Sequence, residues 1–521
     1  MLVSTLLTLA IAPQLELTWE HAYLDSVLRL NLDGPAGAAF ALLPSLTSGP
    51  VSIPALGPQV LEVGLDLPGF WMFGVLDGAG AGSGDILLPI NPNLVGLPVR
   101  AQAFTFPGFP GLIDDLSAAV EAQVGNLGQS HLLAQGPLTK RRYHTATELP
   151  TGQVLIAGGR VQGPWPLGLE RFDPQAGRFL PSSAQLPTGR AHHTATRLTD
   201  GRVLIAGGVR EDGQALASAL IYDPQTDSLS APISMGSARV GHSANLLNDG
   251  RVALVGGSTA YTLSHPLGWP AVGQNLASAA ITLFDPNTNT FSSGAPLPRP
   301  RLWHASALLG NGTLLVTGGV ELQPGGLTST NDCRRFDPSS NTWLPTASLP
   351  APRALHGLVS TASGGALAIS GAEFNPANSQ LLGKPEAFHF IAGAWTPVAS
   401  VNGLIINGEE ICLPRSPIPK APTQPGGTLG DITSTGPVVV YFAGGGFSSV
   451  NLSNGAATLQ SSYFSIDPAF SQWKHAATSL TPREGQTFTP LSSTIRVLRL
   501  GQVGSPSDPG GETTVLNWWL P

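Results

Sequence analysis

The apolar positions of this chain fall into short runs of two kinds. Between residues 13 and 127 they alternate with polar ones: Leu28, Leu30 and Leu32 with Arg29, Asn31 and Asp33; Leu61, Val63, Leu65 and Leu67 with Glu62, Gly64 and Asp66; Val120, Ala122 and Val124 with Glu121 and Gln123. A period of two predicts strands buried on one face only. Pro and Gly clusters separate the runs, as turns require. Further along, four-residue runs such as Val154-Leu-Ile-Ala and Val203-Leu-Ile-Ala are apolar throughout, which predicts strands covered on both faces. The expectation is an all-β chain.

The second half of the pattern repeats. Each copy has Arg-x-x-His, an apolar strand, Gly-Gly, an aromatic-Asp-Pro triplet and a final aromatic. The copies begin at Arg141/His144, Arg190/His193, Arg239/His242, Arg301/His304 and Arg353/His356. The Gly pairs are Gly158-Gly159, Gly207-Gly208, Gly256-Gly257 and Gly318-Gly319, with Ser370-Gly371 in the fifth copy. From Arg to the first residue of the pair is 17 positions each time. The triplets are Phe172-Asp173-Pro174, Tyr222-Asp223-Pro224, Phe284-Asp285-Pro286 and Phe336-Asp337-Pro338, matched by Phe388-His389 in the fifth copy. The closing residues are Phe179, Leu229, Phe291, Trp343 and Trp395, each 6 positions beyond the Asp or His389. Between Gly pair and triplet the length varies. Fixed and variable stretches within one period predict strands joined by loops. A degraded sixth copy holds Gly444-Gly445, Asp467-Pro468 and Trp473; a seventh starts at Arg483 with Gln486 in place of His.

Each copy reads as four short antiparallel strands, a to d. Strand a follows the His, b precedes the Gly pair, c ends at the aromatic-Asp, and d follows the Asp-Pro turn. This is one blade of a propeller, and a blade buries both faces only inside a ring. The motifs resemble kelch repeats over roughly residues 130–521. The resemblance implies a kelch-type β-propeller, and the count of copies gives seven blades; strand count and turn spacing predict a small β-sandwich at 13–127 before it. The propeller region is taken as 128–521. The seventh copy ends without a strand d, so the segment at 130–135 is expected to supply it and close the ring.

Composition narrows the class. Of 521 residues 63 are Gly and 47 are Pro, without any low-complexity run; this suits a turn-rich β protein. The net charge is −7 and no basic block exists, so nucleic acid is not an expected partner. Residues 2–12 are mostly apolar and end Ala10-Ile11-Ala12, a pattern of an exported chain with a signal peptide at 1–12. No later stretch has the length and apolarity of a transmembrane segment. A secreted, periplasmic or cell-surface monomer is expected. Cys333 and Cys412 form no metal-ligand spacing; they are either a disulfide or two separate thiols.

Candidate chemistry follows from topology. The a–b and c–d turns share one face of a propeller, here called the turn face, and are short and uniform. The b–c and d–a loops share the other, the loop face, and differ in every blade. Loops of that kind carry binding surfaces. The expected ligand contacts are Trp165, Tyr261, His265, Trp269 and Trp303, for a protein or carbohydrate ligand. Arg141, Arg190, Arg239, Arg301 and Arg353 lie at the channel mouth, where they either hold carboxylates or satisfy loop carbonyls; their repetition in every blade favours packing. The repeated His suit core hydrogen bonding. Phe179, Phe291, Trp343, Trp395 and Trp473 are expected to anchor blade to blade. Arg141-Arg-Tyr143-His144-Thr also resembles the Arg-x-Tyr-His-Ser run of galactose oxidase and related copper-radical oxidases, which implies the alternative of a copper enzyme. The main expectation is a binding or scaffold protein with no catalytic residues, metal or cofactor.

Overall fold

The structure is a computed structural model. It describes residues 15–20, 26–52, 60–88, 92–94, 97–106, 113–124, 129–132, 136–141, 143–161, 163–259, 277–323, 326–361, 363–369, 371–375, 380–383 and 386–398, and beyond them the strands Ile411–Cys412, Val440–Asn451, Ala457–Ile466, Trp473–Thr478, Arg483–Leu491, Arg496–Val503 and Gly511–Asn517. The described regular structure is antiparallel sheet with two single turns of 3-10 helix.

At the N-terminus, Glu16–Glu20, Ser26–Asp33 and Ala81–Leu88 form one sheet; Val120–Gln123, Pro98–Phe106, Ala39–Ser45 and Met72–Val75 form another, which Asp115–Leu116 joins. Their facing side chains make one core, with Trp19, Leu28, Leu30 and Leu32 from the first sheet against Phe40, Leu42, Ala103, Val120 and Ala122 from the second. The alternation at Leu28–Leu32 and Val120–Val124 is therefore the inward period of two sheets. Leu61 and Val63 are buried on the outer side of the second sheet, in the hairpin Ser48–Ser52/Val60–Val63; Leu65 and Leu67 fall past the end of that strand and are half-buried.

From Thr145 onward the repeats become sheets. The first is Thr145–Glu148, Val154–Ala157, Gly168–Asp173 and Arg178–Gln185, in sequence order. The next four copies build the same a-b-c-d sheet. Strand a of each copy lies beside strand a of the next, from Thr145–Glu148 through Thr194–Arg197, Ser243–Leu246 and Ala305–Leu308 to Gly357–Ser360. Strand b is buried on both sides. In Val203–Ala206, Val203 and Ile205 pack towards the first copy, Leu204 and Ala206 towards the third. That two-sided burial is why these strands are apolar without alternation.

The later strands depart from the pattern. Val440–Asn451 runs unbroken through Gly444-Gly445, which pair with Ser462 and Ser461. The Gly pair of the sixth copy thus lies inside a strand instead of ending one. The far end of this strand pairs with Gln380–Gly383, an outgrowth of the fifth copy. In the last sheet Arg483–Leu491, Arg496–Val503 and Gly511–Asn517 pair in order, and Gln129–Leu132 pairs with Gly511–Asn517, Ser130 opposite Leu516. Arg483–Leu491 lies beside both Val440–Asn451 and Thr145–Glu148.

One register differs from the spacing argument. In the fifth copy Phe390, not Phe388, faces Trp395, and Ile391 faces Ala394. The c–d turn there has two residues, Ala392 (φ 51°) and Gly393 (φ 84°), whereas Asp337 faces Thr342 across four in the fourth copy. The 6-residue offset from His389 to Trp395 is a coincidence of a tighter turn on a longer strand.

Candidate functional site

The Arg, His and Gly pairs turn out to be one device. The second Gly of each pair donates its N–H to the carbonyl of the next copy's Arg: Gly159 to Arg190 at 2.8 Å, Gly208 to Arg239 at 2.9 Å, Gly257 to Arg301 at 3.0 Å and Gly319 to Arg353 at 2.9 Å. The first Gly has φ near +60° and lies against the next copy's His; a Cβ on Gly158 would come within 2.4 Å of the Arg190 carbonyl and 2.6 Å of the His193 ring. Only glycine satisfies both demands.

The His side chains bind across the same seam. His193 Nε2 is 2.9 Å from Thr145 Oγ1, His242 Nε2 is 3.0 Å from Thr194 Oγ1, and His304 Nε2 is 2.9 Å from Ser243 Oγ. In each case the hydroxyl follows the preceding copy's His. The fourth copy has Ala305 there, and His356 turns to Thr317 Oγ1 at 2.6 Å, on the residue that pairs with Ala305 across strands a and b. Burial, reinforced by the neighbouring Arg, pushes His144 down to about 3 and His304 likewise to about 3; His193, His242 and His356 are also held well below the ordinary value, by burial first. All five are neutral at physiological pH.

The five Arg side chains point inward. Arg190 is 1% exposed and Arg239, Arg301 and Arg353 are 0%. Arg141 donates to Gly158 O and ion-pairs with Glu170; Arg190 donates to Gly207 O and Ser218 O; Arg239 to Leu254 O and Thr282 Oγ1. Arg301 reaches Gly318 O and the Asp332 carboxylate, and Arg353 reaches Glu386 O. Burial pushes Arg190 and Arg239 down to about 10, so both remain cations. The channel-mouth anion contact expected of these residues is therefore replaced by carbonyls, hydroxyls and internal carboxylates, because each side chain folds back into its own copy, that of Arg141, Arg190 and Arg301 onto the carbonyl of the first Gly of the pair.

A second repeated feature escaped the sequence reading. The residue before each His is left-handed: Tyr143 (φ 58°), His192 (56°), Gly241 (65°), Trp303 (52°) and Leu355 (58°). These residues link copy to copy, with His192 N on Tyr143 O, Trp303 N on Gly241 O and Leu355 N on Trp303 O. The Tyr143 and His192 rings are 4.1 Å apart, and the Arg160 guanidinium is 4.7 Å from the Tyr143 centroid. The result is a strained collar at the start of the inner strands. Only Gly241 carries a sequence signal for positive φ.

The expected ligand contacts separate. Trp303 belongs to the collar and is buried; Trp165 is buried with Tyr143, Ala191, Val209 and Val240. Tyr261, His265 and Trp269 lie outside the described residues, as do the side chains of Cys412 and Trp473. Cys333 is a free buried thiol in strand c, pushed up to about 12 by burial. Exposed apolar side chains on the described loop face are Leu138 (57%) and Leu167 (43%). Leu138 is held by Glu170, whose carboxylate accepts from Leu138 N and Thr139 N, each at 2.9 Å.

The two faces differ. On the turn face Arg202 donates to Pro286 O and Arg251 to Pro338 O, tying each a–b turn to the next copy's c–d turn. There, too, the N-terminal unit docks: Trp19 N donates to Gln175 Oε1, and Trp19 Nε1 and Glu121 N both donate to Gln175 O. On the loop face the b–c connections of the fourth and fifth copies rise as hairpins, Val320–Gln323/Gly326–Ser329 and Ala372–Asn375/Gln380–Gly383. Phe374 N donates to Ser329 Oγ between them. In the second and third copies the same place holds single bridges, Val209 to Ala215 and Ser258 to Ala277. Among the described residues no three His, Cys, Asp or Glu side chains converge as a metal site, and no helix is long and apolar enough to cross a membrane.

The repeats, their sheets and the ordering of strand a beside strand a make this a kelch-repeat β-propeller. Relatives share the repeat over a short stretch. Kelch-like protein 13 of Mus musculus is 34% identical over 80 residues, 15% of this chain and 12% of its own length. The Homo sapiens protein is 32% identical over 80 residues, again 15% and 12%. Kelch-like protein 9 of Mus musculus is 32% identical over 80 residues, 15% of this chain and 13% of its own. The chain thus spans about an eighth of the length of the relatives it matches. The solved structure of YjhT aligns at 14% identity and a TM-score of 0.38, over 58% of this chain and 94% of that one. No family model matches.

Proposed function

We propose that the protein is an exported, non-catalytic scaffold: a β-sandwich followed by a closed seven-bladed kelch propeller that binds a polypeptide on its loop face. The observation that carries this reading is the asymmetry of the faces. The turn face is internally bonded and partly occupied by the N-terminal unit. The loop face differs from copy to copy and leaves Leu138 and Leu167 in water. Exposed leucines, with Leu138 held at its N–H by the buried Glu170 carboxylate, suit an apolar side chain of a partner. Pairing of Gln129–Leu132 with the last strand supports the closed ring. The Ala10-Ile11-Ala12 ending supports export.

The test is a screen of secreted and surface proteins of the source organism, alongside a glycan array, followed by two paired variants. Leu138→Asp/Leu167→Asp is expected to weaken the hit at least tenfold; Arg202→Ala/Arg251→Ala on the turn face is expected to leave it unchanged. The opposite pattern would overturn the choice of face. Hits confined to the glycan array would overturn the polypeptide ligand.

A further inference from the structure

The a–b turns share one side-chain fold. In the second and third copies these turns are Asp200-Gly201 and Asp249-Gly250; in the fourth the pair is Asn311-Gly312. All three first residues fold the same way. Asp200 Oδ1 accepts from Arg202 N and Asp249 Oδ1 from Arg251 N, each at 3.0 Å, and each carboxylate also takes the guanidinium of that Arg. Asn311 Oδ1 accepts from Thr313 N at 3.1 Å and from Thr313 Oγ1 at 2.8 Å. The N–H of the following glycine closes the turn, Gly312 N donating to Leu309 O at 2.9 Å, so this bond has to open before that nitrogen can react.

An ion-paired carboxylate is a poor electrophile, so the Asp turns are inert. An amide in the same position is not. We propose that Asn311 is a site of deamidation promoted by its own turn. Gly312 N attacks Asn311 Cγ; the negative charge that develops on Oδ1 falls on the Thr313 N–H and O–H, which act as donors to an oxyanion. Gly312 N, released from Leu309 O, loses its proton to solvent, Nδ2 takes up a proton from solvent and leaves as ammonia, and a five-membered succinimide forms. Water then opens the ring at one carbonyl to give aspartate, or at the other to give the isoaspartyl linkage. Gly312 supplies no side chain to obstruct the attack, and Asn311 is exposed. The aspartate product is the residue that the second and third copies already carry, so the turn accepts it. The change adds one negative charge to a face where the neighbouring turn charges are ion-paired.

The experiment follows the tryptic peptide 302–334, which holds no other Asn-Gly pair, after incubation of the folded full-length protein at mildly alkaline pH. The expected result is first-order gain of aspartate and isoaspartate at 311. Thr313→Val should slow it at least threefold in the folded protein and leave the rate in strong urea unchanged. Asn311→Asp should melt within experimental error of the parent. Conversion in urea but none in the folded protein, or equal folded rates with and without the Thr313 hydroxyl, would overturn the proposal.

Discussion

At the residue scale, one sequence motif performs three tasks, two of them between copies. Its Arg carbonyl receives the preceding copy's glycine N–H, its Arg side chain holds its own Gly carbonyl, and its His takes the preceding copy's hydroxyl. The His bond is buried, so removing the hydroxyl strands a polar atom. Thr194→Val is isosteric and should cost about 1–3 kcal/mol, measured by urea unfolding; a neutral result would mean that His242 is satisfied elsewhere. The outer aromatics act more weakly than fully buried anchors. Trp343 stacks 5.3 Å from Phe336 and donates Nε1 to Ala295 O of the preceding copy at 2.8 Å, yet it is half-buried because strand d is the outer strand. Trp343→Ala should cost about 2–3 kcal/mol, below the ~3–5 kcal/mol usual for a buried large aromatic. A loss under 0.5 kcal/mol, roughly the surface range, would remove it from the seam.

At the element scale, the Gly pairs end strand b and receive the next copy. Gly207→Ala meets the Arg239 carbonyl at 2.6 Å and the His242 ring at 2.9 Å, with φ +63°. It is expected to open the seam between the second and third copies, read as faster amide exchange in Val203–Ala206 than in Leu314–Thr317. Unchanged exchange would refute the clasp. The limits of sequence reading also show at this scale. The fixed 17-residue spacing locates strand b in all five early copies and the Gly pair in four of them, because both ends of that stretch are sterically fixed. The fifth c–d turn was misread, because Phe388 and Phe390 flank His389 and either could take the aromatic place. Without Asp-Pro to mark the turn, only the pairing of Phe390 with Trp395 decides it. The collar was not legible, because Tyr143, Trp303 and Leu355 are residues that seldom adopt positive φ and His192 alone does not mark it. The inward fold of the Arg side chains depends on carbonyls, hydroxyls and carboxylates that no spacing reveals.

At the scale of the whole molecule, five neutral buried His make the ring sensitive to acid. Each has a folded-state pKa below its unfolded value of about 6.5, so the unfolded chain binds more protons. Stability is therefore intact above about pH 6.5 and falls as pH drops towards about 3, the value for His144 and His304. Each His contributes about 1.4 kcal/mol per pH unit within that window. Urea unfolding at successive pH values should show this slope, and His242→Gln should reduce it by about one proton. A pH-independent stability between pH 6 and 4 would contradict burial of the belt. Closure of the ring is the claim on which the proposed function rests, and it comes down to one strand pair. Ser130 lies opposite Leu516. In a background with Cys333→Ala and Cys412→Ala, the double variant Ser130→Cys/Leu516→Cys should oxidise to a single intramolecular disulfide and gain about 2–4 kcal/mol of stability. Two thiols that stay free and reactive under the same oxidation would show that the N-terminal strand does not complete the last sheet.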